Sequence, residues 1–433
     1  MRLRLLACAL IAVTAAATVT APADAAPKKP GKVGLVSVTG TSAYGSGTKK
    51  YAKITLAWPR AAKATRYQVF VAGSRAGVQK SKKPRATVRS PKATIKKLRR
   101  NRVYWVQVRA LNGKRAGSRS ARIARVTPAA SASLSTAKHP AYKLMSYNVC
   151  SNACSRWSTR LPLVVSEVQR LRPDVLAVQE ASQWRNAEIP GYTETLGGKD
   201  NRIFYRTAAF EQVQHTLTAE QQSDECELAR DPRTNRILLD EEGEPVRVEP
   251  CILPLDGLAE PDGKDAPWSV LRHKASGQSV VFVGIHLKVD ESRSNASVRA
   301  AQTTKIFSDI EGQLDWWGKD LRRLPVALIG DFNTNRSRAG NDRLESVMHA
   351  HGFYDAYEQA RSLSRQHLNT ANPRWLTKPV IGVTWGDHVD KVWVRPGRSR
   401  VVSWTNAGKM AGGRFVAPLP SDHHPLMVRA QLS

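Results

Sequence analysis

The chain has 433 residues, of which 41% are hydrophobic, and its 67 Lys and Arg against 36 Asp and Glu give a formal net charge of +31. This length is sufficient for two domains, and the hydrophobic content supports ordinary globular cores. No segment after residue 26 is apolar enough to be a transmembrane candidate, which excludes a multi-span membrane protein.

Residues 1–26 have the pattern of a secretory signal peptide. Two Arg near the start precede an apolar stretch at residues 5–13, and an Ala-rich segment follows with the cleavage pattern Ala23-Asp24-Ala25. The apolar stretch is too short to span a bilayer comfortably, which disfavours a membrane anchor. The sequence therefore predicts a secreted, extracellular protein, with cleavage after residue 25 or 26.

The next segment, residues 27–128, is predicted to be a basic β-sandwich domain. Residues 27–140 hold 28 Lys and Arg and no Asp or Glu, so nearly all of the excess charge lies there. Apolar residues alternate with polar ones over three runs, which predicts strands at residues 54–58, 66–71 and 103–110. Residues 129–140, rich in Ala and Ser, are predicted to be a flexible linker.

A domain whose ionisable side chains are nearly all basic repels itself, so a binding partner is expected. Nucleic acid or another polyanion, such as teichoic acid or an anionic membrane, would bind through phosphate contacts and would dissociate as salt is raised. The alternative is a basic exported domain without such a partner.

Residues 141–433 alternate predicted strands with predicted helices, which indicates a two-sheet α/β sandwich. The helices are predicted at residues 162–172 and around residues 298–317. Apolar strands end or begin repeatedly at polar side chains, and such side chains can meet at one rim of a sheet. The candidates are Asn148, Glu180, His286, Asp331, Asn333, Asp390, Asp422 and His423.

An acidic insertion interrupts this pattern at residues 220–265, with 14 acids against 5 bases. It is predicted to be a surface loop, with docking on the basic domain or Ca²⁺ binding as alternatives. Without Cys8, four cysteines remain, and an even number in an exported protein suggests two disulfides. The local pairing, Cys150 with Cys154 and Cys226 with Cys251, is favoured over the two other pairings and over a metal site, because each pair brackets one loop.

The candidate residues suit phosphodiester cleavage. A hard cation such as Mg²⁺ prefers a few carboxylates plus waters, and Glu180 with Asn148 and Asp422 could supply its ligands. A carboxylate that accepts a hydrogen bond from a histidine fixes its tautomer, a role that Asp390 could have for His423. Either His423 or Asp331 could accept the proton of the attacking water.

In order and wording, these motifs resemble the endonuclease/exonuclease/phosphatase superfamily, with its deoxyribonuclease I-like fold, over roughly residues 141–433. The resemblance implies that Asn148, Glu180 and Asp422 lie at the Mg²⁺ site, with Mn²⁺ or Ca²⁺ as alternatives. It implies catalytic roles for His286, Asp331, Asn333, Asp390 and His423, and none for His424. The N-terminal domain, with Trp58, Tyr67, Leu98 and Tyr104, resembles a fibronectin type III domain.

The sequence thus predicts a secreted, Mg²⁺-dependent phosphodiesterase, with nuclease as the leading activity. A phospholipase C-like or sphingomyelinase-like enzyme and a phosphomonoesterase are the alternatives within the same superfamily. A binding protein with an inactive domain is the alternative from another class, and the complete set of motifs argues against it.

Overall fold

The computed structural model describes residues 27–34, 36–44, 51–99, 102–120, 123–126, 134, 137–184, 188–217, 228, 236–246, 252–261, 263–289, 293–334, 343–366, 368–379 and 388–433. The predicted signal peptide, the predicted Cys226–Cys251 pair and much of the predicted linker and acidic insertion lie outside these residues. Within the described residues, no helix combines the length and apolar character that a membrane span requires.

The N-terminal domain is built from two β-sheets that share one core. Its elements are β1 (Ser37–Tyr44), β2 (Tyr51–Ala57), β3 (Arg66–Ala72), α1 (Arg75–Lys80), β4 (Ala86–Val88), β5 (Lys92–Arg99), β6 (Val103–Asn112), β7 (Arg115–Arg119) and β8 (Ile123–Val126). The strand orders are β1-β2-β5 and β4-β3-β6-β7, with β8 paired to β6. Alternate residues of both sheets are buried against each other, as a period of two requires.

Trp58 lies in this core, as predicted, and its ring meets that of Tyr67 edge-on at 5.4 Å. Tyr104 is only half-buried, and its hydroxyl accepts a hydrogen bond from the backbone N–H of Arg99. The β-rich fold of this region agrees with the sequence, while its resemblance to fibronectin type III stays a prediction.

The second domain holds two larger sheets. The first contains β9 (Tyr142–Asn148), β10 (Val175–Gln179), β11 (Tyr192–Glu194), β12 (Arg202–Arg206), β21 (Ser362–Ser364), β23 (Ser399–Asn406) and β26 (Leu426–Leu432), in the order β11-β12-β10-β9-β26-β23-β21. The second contains β13 (Phe210–Gln212), β16 (Asp256–Ala259), β17 (Ala266–His273), β18 (Ser279–His286), β19 (Val326–Asp331), β20 (Tyr354–Asp355) and β22 (Asp390–Val394), in the order β13-β17-β18-β19-β22-β20 with β16 beside β17.

Helices and short ribbons complete the domain. The helices are α2 (Trp157–Leu171), α3 (Arg293–Trp316), α4 (Arg343–Ala350) and α5 (Ala356–Gln359), with a 3-10 turn at Pro396–Arg398. Two-stranded ribbons are formed by β14 (Gln214–Thr216) with β15 (Ile252–Pro254) and by β24 (Met410–Ala411) with β25 (Arg414–Phe415).

The two large sheets face each other, and helices cover their outer faces. In β9, Leu144 points to the shared inner core, while its neighbours Met145 and Tyr147 pack towards α2. In β19, Ala327 lies in the inner core and Leu328 packs towards α3. Because side chains alternate across a strand, each buried strand serves two cores, and the result is the predicted two-sheet α/β sandwich.

The two domains touch through strand β21. Leu363 packs both against the core of the N-terminal domain and against the inner core of the α/β sandwich. Strand β1 lies in contact with β21 and α5, and β8 also contacts α5.

Two elements differ from the sequence predictions. Helix α2 begins at Trp157, five positions before the predicted start, so that Pro162 lies inside it. The last part of the acidic insertion is not a surface loop, because β16 pairs with β17 and buries Ala259 in the core. Apolar side chains within residues 252–259 drive this pairing, although the segment as a whole is acidic.

Candidate active site

Strand pairing brings the predicted residues to one edge of the sandwich. Parallel β9 and β10 pair Asn148 with Gln179, directly before Glu180, and parallel β18 and β19 pair His286 with Asp331. Antiparallel β22 begins beside the end of β19, which places Asp390 opposite Asp331. The ends of parallel strands and the start of an antiparallel neighbour necessarily share one edge of a sheet.

Gly330 permits the close approach of β18 and β19 at this edge. A Cβ atom at this position would lie 1.9 Å from the carbonyl oxygen of Ile285, so no other residue fits without moving the backbone. The Gly-Asp pair is therefore a packing requirement as well as a functional motif.

His423 lies between two aspartates. Its Nδ1 is 2.9 Å from Oδ2 of Asp390, and its Nε2 is 3.8 Å from Oδ2 of Asp331. Burial by itself lowers the pKa of His423, but the negative charges of Asp390, Asp331 and Asp422 outweigh burial and raise that pKa to about 10. The imidazole is therefore protonated at neutral pH, with Nδ1 donating to Asp390 and the N–H of Nε2 left for a substrate oxygen.

Asn148 connects two of the predicted carboxylates. Its Nδ2 donates to Oε1 of Glu180 at 2.8 Å and lies 3.2 Å from Oδ2 of Asp331. Its Oδ1 accepts from the backbone N–H of Cys150, and this donor fixes which end of the amide is oxygen. In this orientation the amide nitrogen of Asn148 orients the carboxylates of Glu180 and Asp331, and its place at the metal site stays a prediction.

Glu180 follows β10 in a left-handed conformation, with φ of +54°. This conformation costs a non-glycine residue about 1–2 kcal/mol. Backbone hydrogen bonds on both sides hold the turn: the N–H of Ser151 donates to Glu180 O, and the N–H of Ala181 donates to Asp200 O. The half-buried carboxylate is thereby presented at the sheet edge.

A second acid–imidazole pair lies on the other side of Glu180. Nδ1 of His286 is 2.8 Å from Oδ2 of Asp200, and its Nε2 lies 3.8 Å from Oε1 of Glu180. Burial raises the pKa of Asp200, but His286 and Lys264 outweigh burial and lower it, so Asp200 stays ionised. An ionised Asp200 accepts a hydrogen bond from Nδ1–H and leaves Nε2 of His286 directed towards Glu180.

Asn333 supports Asp331 from the turn after β19. Its backbone N–H donates to Oδ1 of Asp331 at 2.8 Å, and its side-chain amide donates to the carbonyl of Leu287 at 2.9 Å. Asn333 also has a left-handed backbone, with φ of +49°. Its described contacts are those of a residue that holds the Asp331 carboxylate in place.

Asp422 lies beside the disulfide that joins Cys150 and Cys154. One carboxylate oxygen of Asp422 and the two sulfur atoms lie within 4.8 Å of one another, and Oδ1 accepts from the hydroxyl of Ser421 at 3.3 Å. Sulfur atoms in a disulfide are not thiolates and are poor metal ligands. The negative charge of Asp422 helps to raise the pKa of His423, and its place at the metal site stays a prediction. The Cys150–Cys154 bond is the predicted one.

His424 takes no part in this cluster. It is buried, and its ring stacks on that of Phe415 at 3.6 Å. Burial lowers its pKa to about 3, so it is neutral and packs against Phe415.

The residues at the edge fit a hard divalent cation held mainly by Glu180. Both described contacts of its carboxylate use Oε1, which leaves Oε2 for an ion. Mg²⁺ needs only one or two protein carboxylates, since waters and substrate phosphate oxygens complete its shell. Hydrogen bonds from Asn148 and Asn333 reach both oxygens of Asp331 and fix the orientation of this carboxylate.

Fold and site together define the class of the protein: a two-sheet α/β sandwich with acids and imidazoles clustered at one sheet edge. The sequence model of the Endonuclease/Exonuclease/phosphatase family matches residues 145–423, and the chain belongs to this family. Its superfamily consists of phosphoric ester hydrolases that generally depend on divalent metal.

Several solved structures are similar to this chain. An endonuclease/exonuclease/phosphatase from Bacteroides vulgatus is 18% identical, with 68% of this chain and 99% of that chain covered and a TM-score of 0.44. A Bacteroides thetaiotaomicron mannosyl-6-phosphatase is 19% identical, with 67% of this chain and 99% of that chain covered and a TM-score of 0.44. The human Nocturnin catalytic domain with bound sulfate is 17% identical, with 68% of this chain and 94% of that chain covered and a TM-score of 0.41. No curated protein sequence matches the chain.

The sequence predictions missed three residues at this edge. Asp200 and Lys264 flank His286, and Arg160 lies buried behind the segments that carry Asn148 and His423. Asp200 precedes β12 in a polar, Gly-containing turn, which was its only sequence signal. Lys264 and Arg160 carried none, because their contacts depend on the tertiary fold.

Proposed function

We propose that the protein is a secreted, metal-dependent phosphodiesterase, with extracellular nucleic acid as its substrate. The observation that carries the proposal is the position of His423 between Asp390 and Asp331, close to the carboxylate of Glu180 through Asn148. This arrangement provides a proton donor, a proton acceptor and a cation ligand at one edge of the sandwich, which phosphodiester hydrolysis requires.

The protonation state of His423 suggests which residue donates a proton and which accepts one. His423 carries a proton at neutral pH because its pKa is raised to about 10, so it acts as a donor to a phosphate oxygen or the leaving oxygen. Asp331, held by Asn333 and Asn148, then accepts the proton of the attacking water. Nε2 of His286, with Nδ1 donating to Asp200, lies 3.8 Å from Oε1 of Glu180 and is placed to accept a hydrogen bond from a water or a leaving hydroxyl. Bound at Glu180, Mg²⁺ would offset the negative charge of the phosphate.

The basic N-terminal domain supports a polyanionic substrate. Its residues 27–128 carry no acid, and Lys92, Lys96, Lys97 and Arg99 of β5 are exposed. Each phosphate contact made by such residues adds about −0.9 to the slope of log affinity against log salt on duplex DNA. Export is proposed on the signal-like composition of residues 1–26 and on the Cys150–Cys154 disulfide, a bond typical of oxidising compartments.

The substrate is tested by parallel assays of the purified mature protein, each with and without EDTA. Nicking of supercoiled plasmid, hydrolysis of a single-stranded RNA, phosphocholine release from sphingomyelin and hydrolysis of p-nitrophenyl phosphate distinguish a nuclease from a phospholipase C-like or sphingomyelinase-like enzyme and a phosphomonoesterase. We expect EDTA-sensitive nucleic-acid cleavage. Activity confined to sphingomyelin or to the monoester would overturn the proposed substrate.

The role of the basic domain is tested by charge reversal. We expect the double variant Lys92→Glu/Lys96→Glu to weaken DNA binding and to reduce the salt slope by about two. The matched control Lys274→Glu/Lys319→Glu reverses two exposed charges of the α/β sandwich that lie outside the site. Equal effects of the two double variants would show that overall charge, and not the basic domain, binds the nucleic acid.

A further inference from the structure

Arg160 of helix α2 lies buried where three backbone segments meet. Its five N–H donors all bond to carbonyl oxygens: Nε to Ser155 at 2.8 Å, Nη1 to Val149 at 2.9 Å and Pro420 at 3.0 Å, and Nη2 to Cys150 at 2.6 Å and Cys154 at 3.1 Å. A guanidinium has five donors, so its full hydrogen-bonding capacity is used on main chain.

The segments that Arg160 joins carry residues of the proposed active site. Val149 and Cys150 directly follow Asn148, and Pro420 directly precedes the Ser421-Asp422-His423 motif. Pro420 lies 260 residues after Arg160 in sequence, so only the fold brings its segment beside Val149 and Cys150. One further bond connects them, from the hydroxyl of Ser421 to the carbonyl of Asn148 at 2.7 Å.

The surroundings of Arg160 favour a geometric role over simple charge pairing. Arg160 forms no ion pair with any residue in the described part of the chain, and carbonyl oxygens solvate its charge instead. The rings of Trp157 and Trp375 lie 5.3 and 5.5 Å from the guanidinium carbon. A buried charge is unfavourable unless its donors are bonded, so movement of any of the three segments would leave a donor or carbonyl unsatisfied.

We propose that Arg160 is a positioning residue for the hydrolytic site, holding the Asn148 strand end and the His423 loop in register through main-chain hydrogen bonds. The Cys150–Cys154 disulfide closes the loop whose carbonyls Arg160 binds. This inference rests on the proposed function, because the held residues are those assigned to phosphodiester hydrolysis.

Lysine cannot replace this residue. An ammonium has three donors around a point, whereas a guanidinium offers five in a planar fork that can reach several carbonyls at once. The variant Arg160→Lys therefore keeps the charge and removes the geometry. Arg395→Lys is the matched control, because Arg395 also binds carbonyls, those of Leu321 and Leu324, and packs over the ring of Phe353, but at the end of β22 away from Asp390.

The test measures steady-state kinetics and amide hydrogen exchange in the full mature chain. For Arg160→Lys we expect kcat on the best substrate to fall about 10- to 100-fold with KM changed less than about threefold, since displaced catalytic groups act mainly on the transition state. Exchange of residues 148–155 and 418–425 should rise about tenfold or more. Arg395→Lys should leave kcat and the exchange of both segments unchanged.

Unchanged exchange at residues 418–425 in a folded Arg160→Lys variant, or equal losses in both lysine variants, would overturn the positioning role. The proposed function fails separately, if the wild-type protein hydrolyses no phosphoric ester. In that case, the exchange data still decide whether Arg160 holds the two segments together.

Discussion

Asn148 and Asp331 come from different sheets of the sandwich and meet at its edge, with Nδ2 of Asn148 3.2 Å from Oδ2 of Asp331. The same amide nitrogen lies 2.8 Å from Glu180, so one side chain sets the spacing between the proposed cation ligand and the proposed base. The geometry of the site therefore depends on how the two sheets stack.

Replacing Glu180 with Gln should remove cation binding while the fold is retained. Glu180 is half-buried, and a Gln amide can still accept from Asn148, but it lacks the charge that a hard cation requires. We expect at least a ~10²-fold loss of activity, with Mg²⁺ binding by titration calorimetry lost in parallel. Glu188→Gln, an exposed position, is the control. Unchanged Mg²⁺ affinity in Glu180→Gln would place the ion elsewhere.

Replacing Asp390 with Asn should make the free energy of unfolding less dependent on pH between 6.5 and 10. The pKa of His423 is about 10 in the folded protein against 6.5 ordinarily, so its protonation stabilises the fold fully below pH 6.5, and this stabilisation is lost as pH rises towards 10. Without the Asp390 charge the pKa of His423 falls, so the variant loses less stability than the wild type as pH rises from 6.5 to 10.

Urea unfolding of wild type and Asp390→Asn at several pH values between 6.5 and 10 measures the difference. Other groups that titrate in this window contribute to both proteins and cancel in the comparison. Parallel stability–pH curves for the two proteins would show that Asp390 does not control the protonation of His423.

Replacing Asp200 with Asn should impair His286 without unfolding the protein. An Asn side chain can donate as well as accept, so the proton of His286 is no longer held on Nδ1. We expect a ~10- to 100-fold fall in kcat/KM, which is typical for partners that orient a functional histidine. Asp309→Asn, which breaks an exposed pair with Lys305, should have no such effect.

Adding a methyl group at Gly330 should destabilise the protein. The Cβ of Gly330→Ala would lie 1.9 Å from the carbonyl oxygen of Ile285, and overpacking of this kind costs about 1–3 kcal/mol or more. Gly312→Ala is the control, because nothing lies within 4 Å of a Cβ there, on helix α3. This control should gain up to about 1 kcal/mol from helix propensity. Both are measured by urea unfolding, and equal stabilities of the two variants would contradict the steric account.

The central strands could be predicted from the sequence because their apolar runs are long and end in polar residues. Strands β10, β18 and β19 are such runs, and strand pairing places His286 and Asp390 on either side of Asp331. Alternation of side chains and parallel pairing leave few other arrangements for such strands.

Other features could not be predicted, because they depend on contacts between distant segments. The direction of the Asn148 amide is set by the N–H of Cys150, and the partner of His286 comes from a loop 86 residues earlier. The start of α2 was misplaced because Pro162 resembles a first-turn proline, whereas the helix tolerates it one and a half turns in.

The position of Leu363, in contact with both hydrophobic cores, has a consequence for a polymeric substrate. If the basic domain binds nucleic acid as proposed, this contact fixes the span between the bound strand and the residues around His423. Cleavage would then fall at a preferred distance from the anchored end, so that digestion of an end-labelled oligonucleotide yields a narrow band of fragment lengths instead of a continuous ladder.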